Sequence, residues 1–361
     1  VTENRPLVLA SDEAVLDELF RLAAAAGCEL TRVPDAVAAR PLWPSAPLVV
    51  LDPSGASSCL AARLPRRDRI VVVSSGSTNV GGWQAAIELG AERVVELPTA
   101  DAWLSDAFAD AAEGLGGLPG RVLAVVGGRG GAGASVFATA VAMAATRAGR
   151  SAMLVDCDPL AGGLDLVLGA ETEKGLRWPE LRVRSGRVAV SSLRAALPGV
   201  SNGKAELKLV SGARKGFAPE PDAVTAIVQA GRRGGDVVVC DLPRDLSASA
   251  RAALELADLT VLVVPAEVRA CSSAARVAER LTACGAAAQL LVRGPAPGGL
   301  SAEEVAASVG LPLLTSMPYQ RGLAFALEKG VFNDRRGPLA SAARKTLEAL
   351  GVSQVPGSVA V

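Results

Sequence analysis

Residues 127–136 read GGRGGAGASV, set between the apolar run VLAVV (122–126) and the alanine-rich FATAVAMAATRAG (137–149). Five glycines fall within 127–133, more than a tight turn requires. A glycine-rich link from strand to helix stacks backbone N–H groups into an anion nest at the positive end of the helix. Two patterns overlap here. Gly128, Gly130 and Gly133 form G-x-G-x-x-G, the dinucleotide fingerprint. Gly128 through Ser135 also form G-x-x-x-x-G-x-S, a phosphate loop whose lysine position holds Ala134. Taken alone, the stretch fits either pattern, or a structural turn with Ser135 as a helix cap.

The surrounding chain alternates short, fully apolar runs with helical patterns. Before residue 114 the runs are PLVLA (6–10), APLVVLDP (46–53), RIVVVSS (69–75) and ERVVELP (92–98). After residue 120 they are 122–126, 151–156, 207–210, 236–241, 259–264, 288–292 and 311–317. Apolar runs of this length, separated by amphipathic segments, indicate strands buried on both faces of a parallel sheet. The expected fold class is α/β, with two doubly wound domains and mainly parallel sheets. The first domain spans residues 1–113. GLGGLPG (114–120) forms a linker, 121–352 the second domain and 353–361 a tail. Each domain should present ligands at the carboxyl ends of its strands.

Three further motifs follow the glycine loop in order. DCDP (156–159) stands after the second strand, DLP (241–243) ends another apolar strand, and MPY (317–319) ends the last. With the loop RGGAGAS (129–135), these four resemble the MinD/ParA superfamily of deviant Walker ATPases over about residues 120–350. The receiver-like first half is similar to the CpaE/TadZ branch and to actinobacterial septum-site-determining proteins. The resemblance implies a C-terminal P-loop NTPase fold and a spatial-regulator role in cell division. Localisation of pilus or secretion assembly is the alternative role, and an active ATPase or a ParA-like DNA-partition factor a further one.

The same resemblance assigns nucleotide contacts to Gly128, Arg129, Gly130, Gly131, Ala132, Gly133, Ala134, Ser135, Val136 and Arg293. It assigns Mg²⁺ to Ser135 and Asp241, and leaves Asp156, Asp158 and Asp241 as residual catalytic candidates. Arg129 stands where the superfamily has its signature lysine, and Ala134 where the Walker lysine belongs. Val292 replaces the asparagine expected before Arg293. Phosphoryl transfer relies on the lysine to answer charge on the β- and γ-phosphates. Losing one charge-assisted hydrogen bond costs about 1.5–3 kcal/mol in binding, and more in the transition state. The expected cofactor is therefore ATP or ADP with Mg²⁺, weakly held and little hydrolysed, with no metal cluster or organic cofactor.

The first domain is receiver-like, with Asp12, Asp52 and Ser74 at the positions of a phospho-receiver site. Half of the acidic pair is missing, and Leu97 stands where a receiver has lysine. This reads as a pseudo-receiver for docking or dimerisation rather than a phosphorylated switch.

Composition excludes several chemistries. The chain has no histidine, so Ser-His-Asp triads and histidine-ligated metals are ruled out. Its six cysteines lack C-x-x-C spacing. Thirty-seven basic residues balance 37 acidic ones, so no global field favours nucleic acid. Residues 177–233 are locally basic, with eleven Lys/Arg against four Asp/Glu. They read either as a face for acidic lipid, DNA or an acidic partner or, since aromatic residues scarcely interleave, as a solvated surface around an insertion. DNA is not the expected partner. No continuous apolar run approaches the roughly 18 residues of a membrane span, and no signal peptide is evident. The expectation is a cytoplasmic chain recruited to a septum, pole or membrane surface through protein partners, and a homodimer.

Overall fold

The computed structural model describes residues 5–76, 80–113, 120–181, 187–201, 205–212, 218–332 and 335–352. Most of the 114–120 linker, the basic run 182–186 and the 353–361 tail lie outside the described residues. The chain divides into two compact units, 1–117 and 118–361.

In the first unit, five parallel strands stand in the order β2-β1-β3-β4-β5. They are β1 (Leu7–Leu9), β2 (Thr31–Arg32), β3 (Val49–Leu51), β4 (Ile70–Ser74) and β5 (Arg93–Glu96). This is the flavodoxin-like order, in which helices cover both faces. Alternation along the strands shows why. Leu7, Leu9, Val49 and Leu51 enter one core with Ala56, Cys59 and Leu89. Val8 and Val50 enter the opposite one with Leu16, Leu19, Leu104 and Phe108. Every strand residue of β1 and β3 is thus buried, which accounts for the uninterrupted apolar runs. The polar, two-residue β2 carries no such run and was not expected from the sequence.

The second unit holds an eight-stranded sheet in the order β13-β12-β11-β6-β10-β7-β9-β8. Its strands are β6 (Arg121–Gly127), β7 (Ala152–Asp156), β8 (Gly199–Ser201), β9 (Glu206–Val210), β10 (Val237–Leu242), β11 (Leu259–Pro265), β12 (Ala288–Arg293) and β13 (Leu313–Met317). All neighbours are parallel except β8, a three-residue edge strand antiparallel to β9. Like β2, it is too short and too exposed to show in hydropathy.

β6 lies in the middle, flanked by β10 and β11. The helix Ala134–Arg147 leaves its carboxyl end and is sandwiched between the sheet and the helix Pro338–Ala349. Its buried face is Phe137, Ala138, Ala140, Val141, Ala142, Ala144 and Ala145, meeting Leu339, Ala342, Ala343 and Leu347. Alanine dominates because a helix covered on two sides has no room for larger residues. The amphipathic C-terminal segment therefore spends its apolar face on this core.

Candidate functional site

The glycine loop connects β6 to the helix Ala134–Arg147, whose N-cap, Gly133, sits at φ +92° with no capping side chain. A β-carbon there would also lie 2.7 Å from Arg293 Nη1. Gly128 is required for a different reason, since a β-carbon would strike Ala274 Cβ at 2.8 Å and Val264 Cγ2 at 2.9 Å. Those contacts seat the loop directly on β11 and the helix Val268–Ala283. The outcome is an open helix N-terminus facing a cleft of about 690 Å³, the arrangement that backbone N–H groups and the helix dipole make favourable for phosphate.

The cleft is walled by residues 127 and 129–136, by Asp158, Pro159 and Leu160, by Asp241 through Asp245, and by Arg293. Register explains the acidic end. Asp241 on β10 pairs with Asp156 on β7, so two carboxyls leave adjacent parallel strands on the same side of the sheet. Asp241 is buried, and burial pushes its carboxyl up to about 7; a hydrogen bond from Ser135 opposes the rise, and Asp156 and Asp158 reinforce it. Asp156 is raised to about 6, again chiefly by burial. Its oxygens accept from the backbone N–H of Asp158 (3.2 Å) and Gly212 (3.3 Å), and it is not among the residues lining the cleft. Asp158 lines the cleft and accepts from Leu160 N at 2.9 Å.

The Ser135 hydroxyl and the Asp241 carboxylate are hard oxygen donors on one side of an open helix terminus. That fits Mg²⁺, which keeps several waters and borrows phosphate oxygens rather than requiring a full protein cage. No group of three or more His, Cys, Asp or Glu able to hold a metal occurs among the described residues.

The two arginines occupy different positions. Arg129 Nη2 donates to Glu267 Oε1 at 3.0 Å within the same chain, while its Nε is buried without a partner. Arg293, at the end of β12, donates from Nη1 to the carbonyls of Ala132 (2.9 Å) and Gly131 (3.3 Å). Beyond it lies an apolar slot of about 160 Å³ formed by Val136, Met317, Pro318, Tyr319, Leu323 and Leu327, with Arg293 and Gly133 at its mouth. Tyr319 is largely exposed there. The structure therefore gathers the glycine loop, Ser135, Asp158, Asp241, Arg293 and the MPY segment around one cleft and its side slot.

Three contributors escaped the sequence reading. Glu267 holds Arg129, Trp178 Nε1 donates to the Asp156 carbonyl at 2.6 Å, and Gly212 N donates to the Asp156 side chain. Trp178 and Gly212 sit far from Asp156 in sequence, and Glu267 follows an ordinary strand end, so no local pattern marked them. Cys157 is fully buried, and a hydrogen bond with Cys240 together with burial raises its thiol well above the usual range, as an inert thiol requires. Of the basic residues in 177–233, Arg177 is bonded to carbonyls of Gly175 and Glu173, Arg194 to Asp236, Arg232 to Asp258 and Arg233 to the Val188 carbonyl.

In the receiver-like unit, Asp52 is buried at the N-cap of the helix Pro53–Ala61. It accepts from the backbone N–H of Ser11 (2.6 Å), Asp12 (3.1 Å) and Gly55. Asp12 caps the helix Glu13–Ala25 and accepts from Ser75 Oγ at 2.9 Å; that bond and its backbone bonds hold its carboxyl below the usual range. Ser74 is buried at the end of β4, one residue before Ser75. Leu97 is buried where a receiver lysine would extend.

Comparison with known proteins agrees with this division. Residues 9–117 match the family described as the Rv3660c-like, CheY-like N-terminal domain, and residues 121–294 match the family of the cellulose biosynthesis protein BcsQ. The chain is 46% identical to Rv3660c of Mycobacterium tuberculosis (strain H37Rv), over 94% of this chain and 96% of that protein. Among solved structures, MinD from Aquifex aeolicus superposes with a TM-score of 0.52 at 20% identity, over 65% of this chain and 99% of MinD. The ParA family ATPase of Chlorobium tepidum gives 0.51 at 18% identity, over 65% and 94%. Those structures establish the fold of the second unit. The chain belongs to the family of Rv3660c, with a CheY-like N-terminal domain followed by a domain that has the P-loop fold of MinD and the ParA family ATPase.

Proposed function

We propose that this protein is a spatial regulator of cell division. In this reading its P-loop domain holds a nucleotide with Mg²⁺ but hydrolyses it little or not at all, and acts on partners through conformation. One observation carries the reading: the phosphate cradle and the Ser135–Asp241 pair are intact, while the lysine position is Ala134 and the neighbouring signature cation, Arg129, is engaged by Glu267. Binding elements are retained and transition-state elements are missing.

In this role the loop N–H groups hold the phosphates, Ser135 and Asp241 take the metal, and the slot behind Arg293 takes the base. When bound there, Mg²⁺ would supply charge to neutralise the phosphates. The division role draws on the likeness to MinD, which is also solved as a MinC:MinD complex at a TM-score of 0.53 and 19% identity. Partner proteins and a second copy of this chain are the expected contacts. The pseudo-receiver serves as a docking module, since Asp52 spends its oxygens on backbone N–H groups.

The test is deletion of the gene with measurement of septum position and cell length, beside complementation by wild type and by Asp241→Ala. Misplaced septa restored only by wild type support the proposal. Normal septa with lost pilus or secretion assembly would assign the protein to that machinery instead.

A further inference from the structure

At the far end of the helix that leaves the glycine loop lies a separate cavity of about 420 Å³. The helix Ala134–Arg147 has 14 residues, so its two ends stand roughly 21 Å apart. Four guanidiniums line the cavity. Arg147 comes from the last turn of that helix, Arg335 and Arg336 from the segment leading into the helix Pro338–Ala349, and Arg344 from the latter helix itself. Arg147 is half-buried and the other three are exposed. Glu348 is the one acid among the described residues that line the cavity. The segment 333–336 reads NDRR, so with Asp334 counted the arginines still outnumber the acids four to two. One cation is enough to answer the carbonyl end of a helix, and Arg147 supplies it. Arg336 and Arg344 have no protein partner for their guanidiniums among the described residues. Arg344 and Glu348 stand one helical turn apart, at ion-pair spacing, yet no bridge joins them.

We propose that this cavity binds a compact anion carrying at least two phosphate groups, as a free polyphosphate or as the head of a diphosphorylated lipid. Like charges gathered at one cavity repel, and an anion placed among them relieves that cost. Guanidinium forks grip phosphate oxygens bidentately, which an ammonium does not. Four of them, brought from three stretches of chain, can address two phosphates at once. The remaining wall is apolar, made by Ala144, Ala148, Ala340, Leu347 and Val352, and suits the carbon body of a phosphate ester. No aromatic ring stands among the described lining residues, so nothing there would stack a base. The volume falls within the range of small-molecule sites, about 300–1,000 Å³. This cavity shares no lining residue with the cleft at the glycine loop, so the proposal is independent of whether nucleotide binds there.

The test is arginine footprinting of the full wild-type chain with phenylglyoxal, read by peptide mass, with and without pyrophosphate. Pyrophosphate should slow modification of Arg336 and Arg344 by about tenfold or more, the scale of one charge-assisted hydrogen bond. It should leave Arg269 and Arg276 unchanged; both are exposed on the helix Val268–Ala283, and neither lines this cavity or the cleft. Orthophosphate should protect far less. Calorimetry of the double variant Arg336→Gln/Arg344→Gln should show one pyrophosphate site fewer than wild type, with thermal melting reporting its folding separately. Cosedimentation separates the two sources. If the ligand is a lipid head, phosphatidylcholine vesicles containing diphosphatidylglycerol should carry down wild type but not the double variant, and pyrophosphate should compete. If it is a free anion, wild type should stay in the supernatant. Absent protection, equal protection at all four arginines, equal protection by orthophosphate, or a folded double variant that keeps every site would overturn the proposal. So would retention of a random-sequence duplex that the double variant loses, without protection by pyrophosphate, since the arginines would then form a nucleic-acid face.

Discussion

Asp156 and Asp241 are in register on neighbouring parallel strands, and both are almost fully buried. A carboxyl with an ordinary value near 3.8 is raised in the folded chain to about 7 at Asp241 and to about 6 at Asp156, mainly by burial. Between pH 4 and 7 the folded chain therefore holds more protons than the unfolded one, and this pair's contribution to stability falls as pH rises through that window. Asp241→Asn retains an acceptor for Ser135 and removes the charge. It should raise the melting temperature at pH 8 by about 5 °C or more, corresponding to a few kcal/mol. The gap between variant and wild type should shrink toward pH 5. Mg²⁺ should recover part of the wild-type deficit at pH 8 and none in the variant. Melting curves across pH check this, and a gap that does not grow with pH would contradict it.

At the level of elements, the loop and the helix Ala134–Arg147 form one unit. Gly133→Ala would place a β-carbon at φ +92° and against Arg293, and should destabilise the second unit by about 1–3 kcal/mol. Denaturant unfolding measures it. The outline of this unit was legible in sequence because buried parallel strands are apolar throughout and because GGRGGAGASV, DCDP, DLP and MPY fall at strand ends. The short exposed strands, Thr31–Arg32 in the first unit and Gly199–Ser201 in the second, were not, since neither buries enough side chain to leave a pattern. Within the site, Asp158, Asp241 and Ser135 follow from motif positions. The Glu267 tie to Arg129 and the Arg293 bonds to the loop span more than 130 residues of chain, and only folding reveals them. In the receiver-like unit, the bond from Ser75 Oγ to Asp12 spans 63 residues of chain and likewise shows only in the fold.

Over the whole molecule, the two units have separate cores. Each has its own complete sheet, so fragments 1–117 and 118–361 should fold independently, each with a single cooperative transition seen by circular dichroism. In the first, Asp52→Ala should cost about 1–2 kcal/mol through loss of a cap. Incubation with acetyl phosphate should leave the wild-type fragment unphosphorylated by intact mass, because three backbone N–H groups already occupy its carboxylate and no lysine stands at position 97. The second unit has the fold of MinD and the ParA family ATPase, yet its sequence keeps the glycine loop and has alanine at the lysine position. Whether nucleotide is consumed is decided by phosphate release from the full-length protein under saturating Mg-ATP, followed beside Asp241→Ala. Release from wild type at the level of Asp241→Ala is the expected result; Mg²⁺-dependent turnover in wild type that Asp241→Ala abolishes would contradict it.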